Sequence, residues 1–426
     1  MKMIHRSDTV RSIRRRALVA TTTAAISLLF AAGLQARTWT SADGERTFEG
    51  DLVAYDVASG KVTVGMANGS ELVFDQSKLS EVDLAFLKEN GSKSKAAGGS
   101  GNAAAKPLPA ELPDPDGKEA DMSKPVQVFI LMGQSNMLGF GKVAGGLDVA
   151  AKAGDYPFLV DDEGEWTTRK DVRNVRVMNF KDFKNDWLTA ANTGKIGPEL
   201  GIGYILGEVL DAPVMILKSC IGNRSLGWDL LPPGSESYEH NGKLQPGYGE
   251  TPATAGSGEK YQGDEWYAGK QYDDDVASAK KVLEDLDKYY PGAKEYEIAG
   301  FAFWQGDKDR YSEAHAERYE QNLVQLIKAL RKEFDAPNAK FVCATLGQTK
   351  KGADGNDGMI LEGTLAVDGK SGKYPEFKGN VASVYTHPLS EGGASNGHYG
   401  GNAKTYMNVG IAMGEAMAEL LGSSSK

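Results

Sequence analysis

The sequence predicts an α/β protein: a three-layer α/β/α domain around a five-stranded parallel sheet, preceded by a small all-β domain. Three observations predict it. From about residue 123, near-continuous apolar segments of strand length alternate with amphipathic segments of helix length. Before residue 90, shorter segments alternate apolar and polar residues between turn signals. Between them, residues 91–122 are rich first in Gly, Ala and Ser and then in Pro and Asp, the composition of a flexible linker passing into a stiffer one. At 426 residues and 41 % hydrophobic, the chain can bury a substantial core in more than one domain.

Residues 1–36 read as an export signal. A basic stretch ending in Arg14, Arg15 and Arg16 precedes ALVATTTAAISLLFAAGLQA, which closes on the small residue Ala36. The alternative is a membrane anchor, but threonines interrupt the run and it is short for a span. Cleavage after Ala36 removes six basic residues and one acidic one, taking the formal charge from −10 to −15. An acidic exported protein is a poor partner for polyanions, which argues against nucleic acid. No later segment is apolar enough for long enough to cross a bilayer.

Residues 37–90 form the small all-β domain. RTFEGDLVAYD, KVTVGMA and ELVFDQ alternate in polarity and are separated by DGE, ASGK and NGS. LSEVDLAFLKE follows with helical spacing behind a serine cap, Ser80.

In residues 123–422 the strands are VQVFILMG, VRVMNF, PVMILKSC, EIAGFAFWQG and AKFVCATLG. The helices include PELGIGYILGEVL, DDVASAKKVLEDLDKYY, SEAHAERYEQNLVQLIKALRKEF and AKTYMNVGIAMGEAMAEL. Apolar strands alternating with helices imply a parallel sheet covered on both faces. Ligands then bind beyond the carboxyl ends of the strands. The two cysteines, Cys220 and Cys343, lie in apolar strands and are expected to be buried side chains; neither has metal-site spacing. No metal or cofactor is expected.

The unusual polar residues collect at those carboxyl ends. One strand runs into Gly133-Gln134-Ser135-Asn136, a second into Lys218-Ser219-Cys220-Ile221-Gly222-Asn223, and a third into Trp304-Gln305-Gly306-Asp307-Lys308-Asp309. Asn396-Gly397-His398-Tyr399 precedes the last helix. Acyl transfer by serine needs a hydroxyl, a base within reach and donors aimed at the developing oxyanion, and each segment supplies one part. Each also has a plainer role: Ser135 as a helix cap, Gly222 as a turn, Gln305 and Asp307 as caps, His398 as a loop residue. Their joint occurrence at strand ends favours the chemistry.

From about 125 to 420 the chain resembles the SGNH-type serine hydrolases, and within them the sialate O-acetylesterase group that includes carbohydrate esterase family six. ILMGQSNMLG, IGPELGIGYILGE, the K-x-x-x-G-x-x-S-L run ending in WDLLPP, FAFWQGDKD and HYGGNAKTYMNVGIAMGEAM occur in that family's order. The resemblance implies a flavodoxin-like fold with Ser135 as nucleophile and His398 as base. It implies an oxyanion hole from Ser135 N–H, Gly222 N–H and the Gln305 side chain, with Gln134, Asn136, Asn223 and Trp266 near the substrate. The family's Asp-x-x-His motif is absent, because Ser395 stands three residues before His398. Asp307 is the expected triad acid, with Asp309 as second choice and capping as the alternative for both. His387 in YTHPLSEGG competes as base but lacks the HY-x-G-N-A context. The segment 231–272 carries Tyr238, His240, Tyr248, Tyr261, Trp266, Tyr267 and Tyr272, rings that either face a sugar or pack the loop onto the body.

Residues 37–90 are similar to the Sla homology domain, an SH3-like barrel, through RTWTSADG, a V-x-V strand and LS-x-x-D. The resemblance implies contact with a peptide or cell-surface partner. The whole then predicts a periplasmic or extracellular esterase acting on an O-acetylated carbohydrate, of acetylxylan or sialate type. A glycan-binding protein without catalysis and an esterase for non-sugar acyl groups are the alternatives.

Overall fold

The computed structural model describes residues 37–90 and 119–422, apart from 43, 45, 57–59, 66–70 and 192. The expected export signal and residues 91–118 of the expected linker lie outside the described residues. The chain divides into two compact units, 1–103 and 104–426.

The first unit is an antiparallel meander of Arg37–Thr40, Thr47–Asp56, Lys61–Gly65 and Glu71–Asp75, in sequence order. A bridge between Ser41 and Leu79 brings the chain after the last strand back to the first. Trp39, Val62, Val64, Leu79 and Leu87 are buried between this sheet and the helix Glu81–Asn90. The LS-x-x-D signature is an anchor. Asp83, 2 % exposed, accepts from Arg37 Nη2 (2.5 Å), Thr40 N–H (2.8 Å) and Ser80 Oγ (2.9 Å), tying helix start to first strand. Burial alone would raise its pKa, but these donors hold it below the usual carboxylate range.

The second unit is built on a seven-stranded sheet in the order Val381–Val384, Lys340–Ala344, Tyr296–Trp304, Val126–Gly133, Val214–Ser219, Thr168–Met178, Lys181–Thr189. Six strands are parallel and only Lys181–Thr189 is antiparallel. All five expected strands are present, so the expected count of five is corrected to seven by two edge strands. Val381–Val384 is four residues long and mostly half-buried, too short for an apolar run. Lys181–Thr189 is polar and pairs through a two-residue turn at Asn179 and Phe180, whose φ values of 48° and 62° are those of a hairpin turn. The sequence had placed both in the preceding strand.

Helices Glu199–Val209 and Ala403–Leu420 cover one face, packing on Phe129, Leu131, Ile216 and Val342. Lys270–Glu284 and Glu313–Glu333 cover the other, on Val128, Ile130, Leu217 and Phe341. Residues alternate faces along each strand, and burial on both explains why the strands read as unbroken apolar runs. Cys220 and Cys343 are buried and unpaired. The chain enters the sheet at the central strand Val126–Gly133 and later fills both sides of it. The strand order therefore switches there, opening a crevice at its carboxyl end. Among the described residues no helix is long and apolar enough to cross a membrane.

Candidate active site

The central strand leaves the sheet through a turn that only glycine accommodates. Gly133 has φ +145°, and a Cβ there would lie 2.4 Å from the carbonyl oxygen of Trp304 on the neighbouring strand. The turn delivers Ser135 to the start of the short helix Ser135–Leu138, 8 % exposed. That helix is held from below by Lys218, whose Nζ donates to the carbonyls of Met137 (3.1 Å) and Leu138 (2.8 Å) and to Glu199 Oε2 (2.6 Å). Glu199 Oε1 in turn accepts from Gly197 N–H at 3.0 Å. The buried ion pair is thus satisfied on both sides, as such a pair must be.

Gly222 stands against the serine: a Cβ added to it would sit 3.6 Å from Ser135 Cβ. Among the described residues neither the Ser135 nor the Gly222 amide donates to another protein group. Two backbone donors therefore remain unspent beside the hydroxyl.

His398 arrives on the turn Ser395–Gly401, which packs against the serine helix. Residues 398–401 all have positive φ, between 50° and 78°, an unusual run that needs an anchor. Tyr399 provides it: fully buried, it stacks on Trp304 at 5.8 Å and accepts from Gly347 N–H at 3.0 Å. The His398 imidazole lies flat on Phe140, centroids 3.9 Å apart and planes 6° from parallel. Burial lowers its pKa below the ordinary value; Asp307 opposes this and Lys195 adds to it. Neither imidazole nitrogen nor the Ser135 hydroxyl is hydrogen-bonded to another described residue. Such bonds are often loose before substrate binds.

Asp307 and Asp309 face opposite ways. Asp307 lies within electrostatic reach of His398, accepting from Ser395 Oγ (2.5 Å) and Arg310 Nη1 (3.3 Å). Asp309 is fully buried and accepts from Leu226 N–H (2.9 Å), Gly227 N–H (2.7 Å) and Gln305 Nε2 (2.5 Å). It holds the loop after the second strand, and burial raises its pKa against those donors and nearby His315. Both carboxylate oxygens of Asp309 are thus committed to donors other than His398.

The two glutamines also depart from expectation. Gln305 Nε2 is engaged by Asp309, by Arg224 O (2.8 Å) and by Gln134 Oε1 (3.1 Å), leaving no hydrogen for an oxyanion. Gln134, 2 % exposed, turns inward and also accepts from Lys308 N–H at 3.1 Å, so it braces the turn. Asn136 is buried, with Oδ1 accepting from Tyr406 and Nδ2 unpartnered. Asn223 is exposed with φ 57°. His387 donates from Nδ1–H to the Gly347 carbonyl at 2.6 Å, a structural contact.

Most rings of segment 231–272 pack the loop down. Tyr238 donates to Ala314 O, Tyr248 and Tyr267 donate to Asp273, and Tyr272 is buried. Glu250 organises the loop, accepting from Ser237 Oγ and from the N–H groups of Gly247, Gly256 and Gly258. Trp266 differs: 38 % exposed, its ring lies under the Arg224 guanidinium at 4.9 Å, next to Asn223. Sequence reasoning named Lys218 and Ser395 without giving either a role, and missed Phe140. A lysine inside the apolar run VMILKSC was the visible signal for the first. Among the described residues no group of three or more His, Cys, Asp or Glu is placed to hold a metal ion.

Residues 253–419 match the family model described as "Carbohydrate esterase, sialic acid-specific acetylesterase". The matched stretch contains Gln305, Asp307 and His398 and begins beyond Ser135 and Gly222. No curated protein matches the chain. Among solved structures it is similar to a protein from Arabidopsis thaliana, 16 % identical with TM-score 0.42, over 70 % of this chain and 99 % of that one. It is similar to a carbohydrate acetylesterase from Xanthomonas citri, 14 % identical with TM-score 0.41, over 70 % and 57 %. It is also similar to NanS, 13 % identical with TM-score 0.42, over 72 % and 100 %.

Proposed function

We propose that the protein is an exported serine esterase that removes O-acetyl groups from carbohydrates. The observation that carries this is the convergence of Ser135, Gly222 and His398 at the carboxyl end of the central strand, in a chain whose residues 253–419 match a carbohydrate esterase family. His398 swings from Phe140 toward Ser135 and takes the hydroxyl proton as Oγ attacks the acetyl carbonyl. The Ser135 and Gly222 amides receive the oxyanion, and Asp307 stabilises the imidazolium. His398 then returns its proton to the departing sugar hydroxyl. Water, deprotonated by the same imidazole, attacks the acetyl-enzyme and releases acetate.

The oxyanion hole in this scheme has two donors, since the Gln305 amide is committed elsewhere. Asn223 and Trp266, both exposed, remain the substrate-contacting residues of the scheme. For residues 37–90 we propose a role in attachment or partner contact. The deciding experiment is hydrolysis of an aryl acetate by the full chain and by Ser135→Ala: turnover is expected to vanish with the hydroxyl. Equal rates would remove the nucleophile and with it the mechanism.

A further inference from the structure

Three cations stand in register across three neighbouring strands. Lys218 in Val214–Ser219 is the partner of Arg176 in Thr168–Met178, and Arg176 is the partner of Lys184 in Lys181–Thr189. Side chains so paired lie about 5 Å apart at Cβ, where like charges repel. All three line a cavity of about 210 Å³ beside the serine helix. Phe140, the ring on which His398 rests, forms one wall, and Lys195 enters beside it with its ammonium 4.6 Å from the ring centroid.

Only part of this charge is answered from within the chain. Glu199 pairs with Lys218 at 2.6 Å. Arg176, Lys184 and Lys195 have no ion-pair partner among the described residues. Asp186, the register partner of Asn174, is exposed and bonds to none of them. The Arg176 guanidinium packs on Phe183, and its Nε is buried without an acceptor. Asn174 lines the cavity from the same strand, 4 % exposed, with its Oδ1 unpartnered. Buried polar atoms without partners are uncommon and mark where a ligand or water completes the bonding. The cavity thus lacks several negative charges for its cations and one hydrogen-bond donor for Asn174.

We infer that this cavity binds a phosphate group. Near neutral pH a phosphate carries close to two negative charges, and hydrogen phosphate keeps one hydroxyl to donate to Asn174 Oδ1. Its other oxygens accept from the planar fork of Arg176 and from the ammonium groups of Lys184 and Lys195. An ionised carboxylate brings one charge and no hydrogen, and a sulfate brings no hydrogen, so each leaves part of the site unanswered. The group arrives as the free ion, or on a phosphorylated sugar whose own hydroxyl reaches Asn174 and whose acetyl ester reaches Ser135. The second source rests on the esterase reading; the first does not.

The test is calorimetry on the full chain in phosphate-free buffer, with inorganic phosphate as the probe and sulfate and glucuronate as controls. Wild type is expected to bind one phosphate, more tightly than either control. Arg176→Gln should weaken phosphate roughly tenfold. Lys184→Gln, on the edge strand, repeats the test should the first variant fold poorly. Asn174→Leu should close the gap between phosphate and sulfate, a change that a merely structural residue would not produce. Added sodium chloride should weaken binding. Four results overturn the inference: no phosphate binding by wild type, a control bound as tightly as phosphate, an affinity unchanged in both charge variants, or a gap that Asn174→Leu leaves intact.

The source is read from kcat/KM for acetate release from an O-acetylated hexose phosphate and from the same acetylated hexose without phosphate. A preference of roughly tenfold or more for the phosphorylated sugar places the group on the substrate. Equal or lower values, with phosphate binding intact, assign the site to the free ion. Phosphate binding without any ester turnover sinks the esterase reading alone; aryl acetate turnover without phosphate binding sinks this one.

Discussion

Ser395 Oγ donates a 2.5 Å hydrogen bond to Asp307 Oδ1, joining the turn that bears His398 to the end of the strand Tyr296–Trp304. Ser395 occupies the position where the resembled family carries its aspartate. The serine fastens the Asp307 carboxylate, from another strand end, to the histidine turn, and Arg310 is its second partner. In the proposed mechanism Asp307 takes the place of the absent aspartate.

This predicts unequal losses. Asp307→Asn should lower kcat on an aryl acetate by up to about four orders of magnitude, the cost of losing the acid in other triads. Ser395→Ala leaves the carboxylate in place but loosens it, and should lower kcat by about tenfold with KM little changed. Full activity of Asp307→Asn would mean that His398 is oriented by something else.

The pH profile follows from the surroundings of His398. Only the neutral imidazole accepts the serine proton, and burial together with Lys195 lowers its pKa below 6.5 against the pull of Asp307. The acid limb of kcat/KM should therefore have its midpoint below 6.5. Lys195→Gln removes a lowering charge and should move that limb to higher pH. Asp307→Asn removes the raising charge and should move it to lower pH in whatever activity remains. Initial rates of Ser135-dependent hydrolysis across pH measure both.

Lys218 offers a stability test. Its ammonium is buried against Glu199 and two carbonyls of the serine helix. Lys218→Met strands a buried carboxylate and frees both carbonyls, and should cost about 3–5 kcal/mol in denaturant unfolding. Lys218→Met together with Glu199→Gln should recover part of that loss, because no charge is left unpaired.

At Gly133 the prediction is steric. Gly133→Ala places a methyl group 2.4 Å from the Trp304 carbonyl at a φ that side chains rarely adopt. Both thermal stability and esterase activity should fall, by about 1–3 kcal/mol for the former. Gly222→Ala meets only ordinary contact with Ser135, so its melting temperature should stay near wild type while its kcat drops through crowding at the reacting carbonyl.

The five inner strands were legible because a parallel strand buries both faces and so must be apolar throughout. The edge strand Lys181–Thr189 was not, since its exposed side admits charge and its pairing depends on a turn whose φ values the residues Asn179 and Phe180 do not announce. The segments of the candidate site were legible as polar and glycine residues breaking off apolar runs, because ligand sites in such a sheet gather where strands end.

Sequence alone determined which segments carry polar groups and that they end at one edge of one sheet. Only the tertiary structure decided which way each group points. Asp307 and Asp309 are two residues apart, yet one meets Ser395 and the other meets Leu226 and Gly227, because Gly306 turns the chain at φ +126° and distant backbone donors claim the second carboxylate. Gln305 was drawn inward by the acceptors Asp309, Arg224 O and Gln134 Oε1, and Gln134 by the donors Gln305 Nε2 and Lys308 N–H. Beside the local partners Asp309 and Arg310, the directions of these strand-end side chains are set by partners more than eighty residues away, which their local sequence does not encode.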